Sequence, residues 1–214
     1  GIDHGITHYF ARSLKLEKAL HYDTLLAYEM NGELLPVQHG FPLRLIVPGW
    51  YGVASVKWLK SINLINHPFN GYQQSVNYHY RQNPNETGKP VDELKIKSLI
   101  IPPGIPDWYS RRRYLTPGRV QLTGRAWTGQ EKLQKVDIGI DGVWTKARLG
   151  KKLGDYAWRQ WFFDWDAKPG KHTIQSRAFD TKGNFQPDEP VWDESGFGNN
   201  MLHTIHVNIE DSEV

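Results

Sequence analysis

The sequence predicts an α+β chain in two parts: residues 1–93, which mix helix and strand signals, and residues 94–214, which are all β and form an immunoglobulin-like sandwich. Three observations carry this reading. In the second part, short runs alternate apolar and polar residues at regular spacing, with turn residues between them. In the first part, one stretch has leucines at helical spacing and is followed by short β-rich runs that stop at Gly or Pro. Between the parts lies a polar loop from Arg81 to Val91, punctuated by Pro84, Gly88 and Pro90. The boundary falls soon after it, between Leu94 and Pro106 at the widest.

Taken in order, Ser13 offers an N-cap to a helix with Leu16 and Leu20 on one face and Glu17 in its first turn. Leu25 to Met30 reads as a strand closed by the tight turn Asn31-Gly32. Leu43 to Val47 is a β-rich run stopped by Pro48-Gly49, and Val56 to Leu64 alternates as a further strand. In the second part, Arg119 to Trp127, Lys135 to Ile140, Tyr156 to Phe163, Lys171 to Phe179 and Thr204 to Ile209 read as strands. Asp141-Gly142 marks a hairpin. Trp108, Trp127, Trp144, Trp158, Trp161, Trp165 and Trp192 all lie in this part, and the chain has no cysteine to form a disulfide. Buried aromatic area must therefore hold the sandwich together, so core or interface is the default role for these rings.

Composition excludes several classes. The 214 residues carry 26 basic and 23 acidic side chains, a net charge of +3, which is too balanced for nucleic-acid binding. The one basic cluster, Arg111-Arg112-Arg113, reads as a solvated turn. No apolar run approaches the length of a membrane span. The start, Gly1-Ile2-Asp3-His4, has no leader-like pattern and looks cut from a longer chain. Zero cysteines remove thiolate metal sites and cysteine nucleophiles, and leave the redox compartment open.

The chemistry concentrates in residues 39–59. Here His39 precedes an apolar strand that begins at Arg44, and a Gly-rich loop after that strand leads into Ser55 and Lys57. Glycine lets backbone N–H groups approach an anion closely, Arg binds phosphate bidentately, and Lys supplies a compact charge. Such a pair of loops can hold a phosphorylated ligand. An ordinary strand with surface cations explains the same pattern from the residues alone.

The motifs His39-Gly40-Phe41-Pro42-Leu43-Arg44, Val47-Pro48-Gly49-Trp50-Tyr51-Gly52 and Ser55-Val56-Lys57-Trp58-Leu59 resemble the molybdopterin-binding stretch of the sulfite oxidase family. Leu25 to Gly32 resembles the strand and turn upstream of it. Pro102 to Asp107, Gly124 to Gly129, Ala157 to Trp161 and Asp180 to Pro187 follow in the order of that family's C-terminal dimerisation domain. The resemblance implies that residues 1–93 are the C-terminal portion of a sulfite-oxidase-type molybdopterin-binding fold and that residues 94–214 are an immunoglobulin-like dimerisation domain. It further implies that Asp3, His39, Arg44, Ser55, Val56 and Lys57 contact the pterin or its phosphate. The family's tyrosine near the metal matches Tyr78 best and Tyr80 second, with slightly different spacing. The family's cysteine ligand lies upstream of where this chain begins, and no metal ligand is assigned within it. Ser195 stands about where some members place a substrate-binding Arg, which is more similar to bacterial members.

The resemblance therefore implies a molybdenum-cofactor oxidoreductase that oxidises sulfite or a related small sulfur oxyanion, working as a homodimer. It points to a periplasmic address and leaves the electron acceptor open. These residues alone are expected to be inactive for lack of the cysteine. The competing reading is a non-catalytic dimerisation or binding module.

Overall fold

The computed structural model describes Ile2, Asp3 and residues 5–210. The chain divides into two compact units, one of Gly1–Leu94 with Trp192–Gly198, the other of Lys95–Val191 with Asn199–Val214.

The second unit is a two-sheet sandwich. One sheet has four strands, in the order Arg148–Leu149, Arg159–Ala167, Gly118–Trp127 and Lys97–Ile101. The other has six: Ile105–Pro106, Arg113–Leu115, His203–Ile209, Gly170–Asp180, Leu133–Ile140 and Val143–Lys146. All pairs are antiparallel except Arg113–Leu115 beside His203–Ile209. Side chains alternate across a strand, so one face of each sheet turns inward. Leu122, Ala126 and Trp161 from the smaller sheet meet Val136, Ile138, Ile174, Ala178 and Val207 from the larger. The expected hairpin forms at Asp141-Gly142, where both residues take the positive φ that a tight hairpin turn requires.

Of the six tryptophans in this unit, Trp161 is fully buried, while Trp108 is 86% and Trp158 61% exposed; the seventh, Trp192, belongs to the first unit. Trp161 donates through Nε1 to Ser98 Oγ at 3.0 Å and lies flat against Gly124, where a Cβ would come within 2.1 Å of its ring. Arg113 is not merely solvated. Its guanidinium donates to the carbonyls of Pro102, Pro103 and Gly104 and so holds the turn that the prolines make.

The first unit is built from short pieces. Leu25–Ala27 pairs with Arg44–Ile46, and Glu29–Met30 with Glu33–Leu34 around Asn31-Gly32, both at positive φ. His79–Tyr80 pairs with Lys89–Pro90. Two expectations fail here. The helix is only Leu16–Ala19, with Lys15 at its N-cap, because Ser13 is engaged elsewhere: its N–H donates to Gln74 Oε1, and its hydroxyl accepts from Gln74 Nε2. Residues 56–64 form no strand. Val56 and Leu59 do lie beside the Arg44–Ile46 strand, through Leu45 N–H to Val56 O and Leu59 N–H to Leu43 O. Between them Trp58 sits at φ +51, which breaks any ladder.

Candidate functional site

The strand Arg44–Ile46 brings the two loops of residues 39–59 together. Val37–His39 is a single 3₁₀ turn that ends at Gly40, φ +112. A Cβ at Gly40 would lie 3.1 Å from the Cβ atoms of both Arg44 and Lys57, so the absent side chain is what lets the two cationic positions flank this turn. Arg44 donates through Nη1 to His39 O (3.0 Å) and through Nη2 to Ser55 O (3.3 Å). Lys57 Nζ donates to Gln38 O at 2.8 Å and lies 4.5 Å from the Trp58 ring centre, while Trp58 Nε1 donates to Val37 O. Ser55 Oγ accepts from Val47 N–H at 3.0 Å, and Val56 O accepts from Leu45 N–H, which fix the Ser55-Val56-Lys57 segment along the strand.

His39, Arg44, Ser55, Val56 and Lys57 are thus gathered in one cradle. Asp3 lies in the strand Ile2–Asp3, and its side chain is outside the described residues. Two observations fit the cradle to an anionic group such as a pterin phosphate. Among the described residues, neither Arg44 nor Lys57 has a carboxylate partner. Arg44 also keeps a buried Nε with no hydrogen-bond partner, and such an orphan is costly unless a ligand satisfies it. The cations are held by carbonyl dipoles that leave their charge uncancelled.

Tyr78 belongs to a second group. It follows a single π turn, Gln73–Asn77, and its N–H closes that turn on Gln73 O at 3.1 Å. Its carbonyl accepts from Val91 N–H at 2.9 Å, and its ring stacks on Phe197, 5.3 Å between centres. The segment Trp192–Gly198 returns to this unit because Asp193 accepts from the backbone N–H groups of Arg81, Ser195 and Phe197. Ser195 is therefore part of a turn capped by Asp193. Tyr80 is the less suitable candidate for giving up its proton. Burial, reinforced by Tyr51, Asp92 and Asp193, pushes its hydroxyl far above the usual phenol range.

Arg12, His79 and Arg81 complete the group, and the residue reading missed all three. Arg12 donates to Gln73 O and Val91 O. His79 is 7% exposed, and its Nδ1 has no partner. Burial lowers its pKa, and Arg81 and Arg12 lower it further, so the ring is neutral near pH 7. Arg12 was missable because its partners are 61 and 79 residues away. The pair Gln73-Gln74, between Tyr72 and Ser75, was the available signal.

Comparison with known proteins identifies the family. Residues 1–73 match the oxidoreductase molybdopterin binding domain, and residues 89–210 match the Mo-co oxidoreductase dimerisation domain. The chain belongs to the sulfite-oxidase-type family of molybdopterin oxidoreductases. It is 30% identical to the mitochondrial sulfite oxidase of Homo sapiens over 92% of this chain and 39% of that protein. It is 32% identical to NADH nitrate reductase 1 of Arabidopsis thaliana over 94% of this chain and 24% of that protein. Among solved structures, the sulfane dehydrogenase SoxCD from Paracoccus pantotrophus superposes with a TM-score of 0.80 at 27% identity, over 95% of this chain and 55% of that one. The 214 residues therefore span well under two thirds of these relatives. Among the described residues, no helix is long and apolar enough to cross a membrane.

Proposed function

We propose that the intact protein oxidises sulfite or a related small sulfur oxyanion, and that residues 1–214 supply the pterin-phosphate cradle, a tyrosine beside the reaction and the homodimer contact. The observation that carries this is the cradle of His39, Arg44, Ser55 and Lys57, with its uncancelled charge and orphaned Arg44 Nε. The likeness to a sulfite oxidase and to a sulfane dehydrogenase supports a sulfur substrate, while a nitrate reductase matches at a similar identity.

Arg44 and Lys57 would hold the phosphate, the first through a planar fork and the second as a point charge. Ser55 and the backbone of Val56 would line the same strand edge. When bound, the molybdenum cofactor supplies the two-electron redox chemistry. In the overall balance, sulfite takes one oxygen from water and releases two electrons and two protons to become sulfate. Tyr78 would donate a hydrogen bond to the reacting anion through its hydroxyl, and Arg81 would make its surroundings attractive to an anion. The described residues hold no carboxylate or imidazole cluster that competes for a metal. With no cysteine among them, these residues provide no thiolate to molybdenum, and alone they should not turn over sulfite. A soluble, periplasmic homodimer is the accompanying expectation.

The test is sulfite-dependent reduction of a chemical electron acceptor by the intact protein. Turnover with sulfite is expected, and Tyr78→Phe should lower its rate while leaving pterin content intact, since the ring and its Phe197 stack remain. A fully loaded wild-type enzyme that leaves sulfite and other reduced sulfur anions untouched would overturn the substrate assignment. An unchanged rate in Tyr78→Phe would remove the tyrosine from the chemistry.

A further inference from the structure

We propose that Arg12 is the positioning residue for Tyr78: it ties together the two backbone segments that hold the tyrosine. This deepens the reading above, in which Tyr78 acts on the substrate.

The geometry is specific. Tyr78 has one backbone donor and one backbone acceptor, and both are used: its N–H goes to Gln73 O at 3.1 Å, and its carbonyl takes Val91 N–H at 2.9 Å. Arg12 donates to the same two residues, through Nη1 to Gln73 O (3.3 Å) and Nη2 to Val91 O (2.8 Å). One guanidinium fork thus joins the start of the π turn to the strand-like segment after the loop, and Tyr78 sits between them. A π turn is wider than an α turn and is rare, so a second donor at its first carbonyl braces it. Gln73 O has two lone pairs, and Arg12 and Tyr78 occupy them together. On the Gln73 side chain, Asn77 Nδ2 donates to Oε1, and Nε2 contacts His8 Nε2, so the same residue is fixed at both ends.

Burial lowers the pKa of the Arg12 guanidinium against the pull of Asp92 and Tyr78. Its buried Nε has no partner. A lysine would keep the charge but lose the fork, because an ammonium on a flexible stem does not hold two carbonyls in a fixed plane. A plain structural brace would behave differently: its loss would cost stability whether or not Tyr78 had a hydroxyl.

The experiment uses the intact enzyme in two readouts. The first is fluorine NMR of protein labelled with fluorotyrosine, with the Tyr78 resonance identified by its loss in Tyr78→Phe. Arg12→Met should move that resonance toward the position of an exposed tyrosine, with Arg12→Lys in between; an unmoved resonance overturns the proposal. The second readout is a double-mutant cycle on kcat and KM. Arg12→Met should lower kcat by about ten- to a hundredfold, the scale of a small misplacement of a reacting group. KM and pterin content should be unchanged, and the loss should vanish in the Tyr78→Phe background. A raised KM with unchanged kcat would make Arg12 a substrate ligand instead and overturn the positioning role, as would a loss of the same size in the Tyr78→Phe background. If Tyr78→Phe alone leaves kcat unchanged, the catalytic reading of Tyr78 fails, and the fluorine shift by itself decides for or against positioning. Should Arg12→Met not fold, Arg12→Lys carries both readouts.

Discussion

Arg44 holds two carbonyls as well as a charge, and this divides what its replacement does. Arg44→Ala would free His39 O and Ser55 O and also remove a cation from the cradle. Arg44→Lys would keep the charge and lose the fork. A charge-assisted hydrogen bond contributes ~1.5–3 kcal/mol, or roughly ten- to a hundredfold in affinity. Arg44→Ala should therefore lower pterin occupancy, with Arg44→Lys in between, as measured by pterin content of the purified protein. In the sandwich unit, His172 makes a different kind of contact. Its Nδ1 faces Asp141 Oδ2 at 2.6 Å and its Nε2 faces Lys168 O at 2.9 Å, so both nitrogens meet acceptors and the protonated ring fits best. Burial pulls its pKa down, but the bonds to Asp141 and Lys168 and the carboxylate's charge outweigh it and hold the pKa above 6.5. A raised folded-state pKa stabilises fully below the unfolded value of about 6.5 and loses that stabilisation as pH rises through the folded value. The Tm difference between wild type and His172→Gln should accordingly be larger at acidic than at alkaline pH. A difference that grows with pH would contradict the assignment.

At the scale of elements, the sandwich strands were legible because each buries one face. Within Gly118–Trp127 and Gly170–Asp180, residues 122–127 and 174–180 alternate buried and half-buried, and that period is written in the side chains. The short edge strands Ile105–Pro106 and Arg148–Leu149 were not legible, since two residues carry no period. Nor was the π turn, whose five residues Gln73–Asn77 are mostly polar and are held by partners far along the chain. A π turn takes up one residue more than an α turn, which fits the slightly different spacing of Tyr78. The cradle residues were legible through a long motif, but their mutual arrangement depends on Gly40 and on Trp58 at positive φ, which no periodicity announces. Gln186 was missed altogether. It is fully buried; its Oε1 accepts from Ser98 N–H and Ala178 N–H, and its Nε2 donates to Asn200 O and Met201 O. It therefore joins a strand of the smaller sheet to a strand of the larger through one amide. Gln186→Met keeps the bulk and strands two buried N–H groups, at about 1–3 kcal/mol each. Chemical denaturation should show a loss of roughly 2–6 kcal/mol in the sandwich unit, and a change below ~0.5 kcal/mol would show that water or rearrangement replaces the amide.

On the scale of the whole molecule, the second unit carries most of the core. Its buried cluster runs from Ile96 to Ile209, whereas Leu35, Val47, Ala54 and Val91 are the buried apolar residues described in the first. The second unit also matches the dimerisation domain, and it exposes Ile105, Trp108, Tyr109 and Trp158. Aromatic residues are enriched where a surface is covered by a partner. The intact protein should be a homodimer by light scattering at micromolar concentration, with an interface above ~1,000 Å² in total; a monomer under those conditions would refute it.

If residues 39–57 hold the phosphate end of a pterin, pterin content depends on their cations. Intact protein carrying both Arg44→Ala and Lys57→Ala would be purified beside wild type, with folding checked by circular dichroism, and the pterin released by oxidation and measured by fluorescence. Wild type should carry near-stoichiometric pterin and the double variant at least tenfold less at limiting cofactor, about the effect of one charge-assisted contact even if the two substitutions are not additive. Full occupancy in a folded double variant would contradict it.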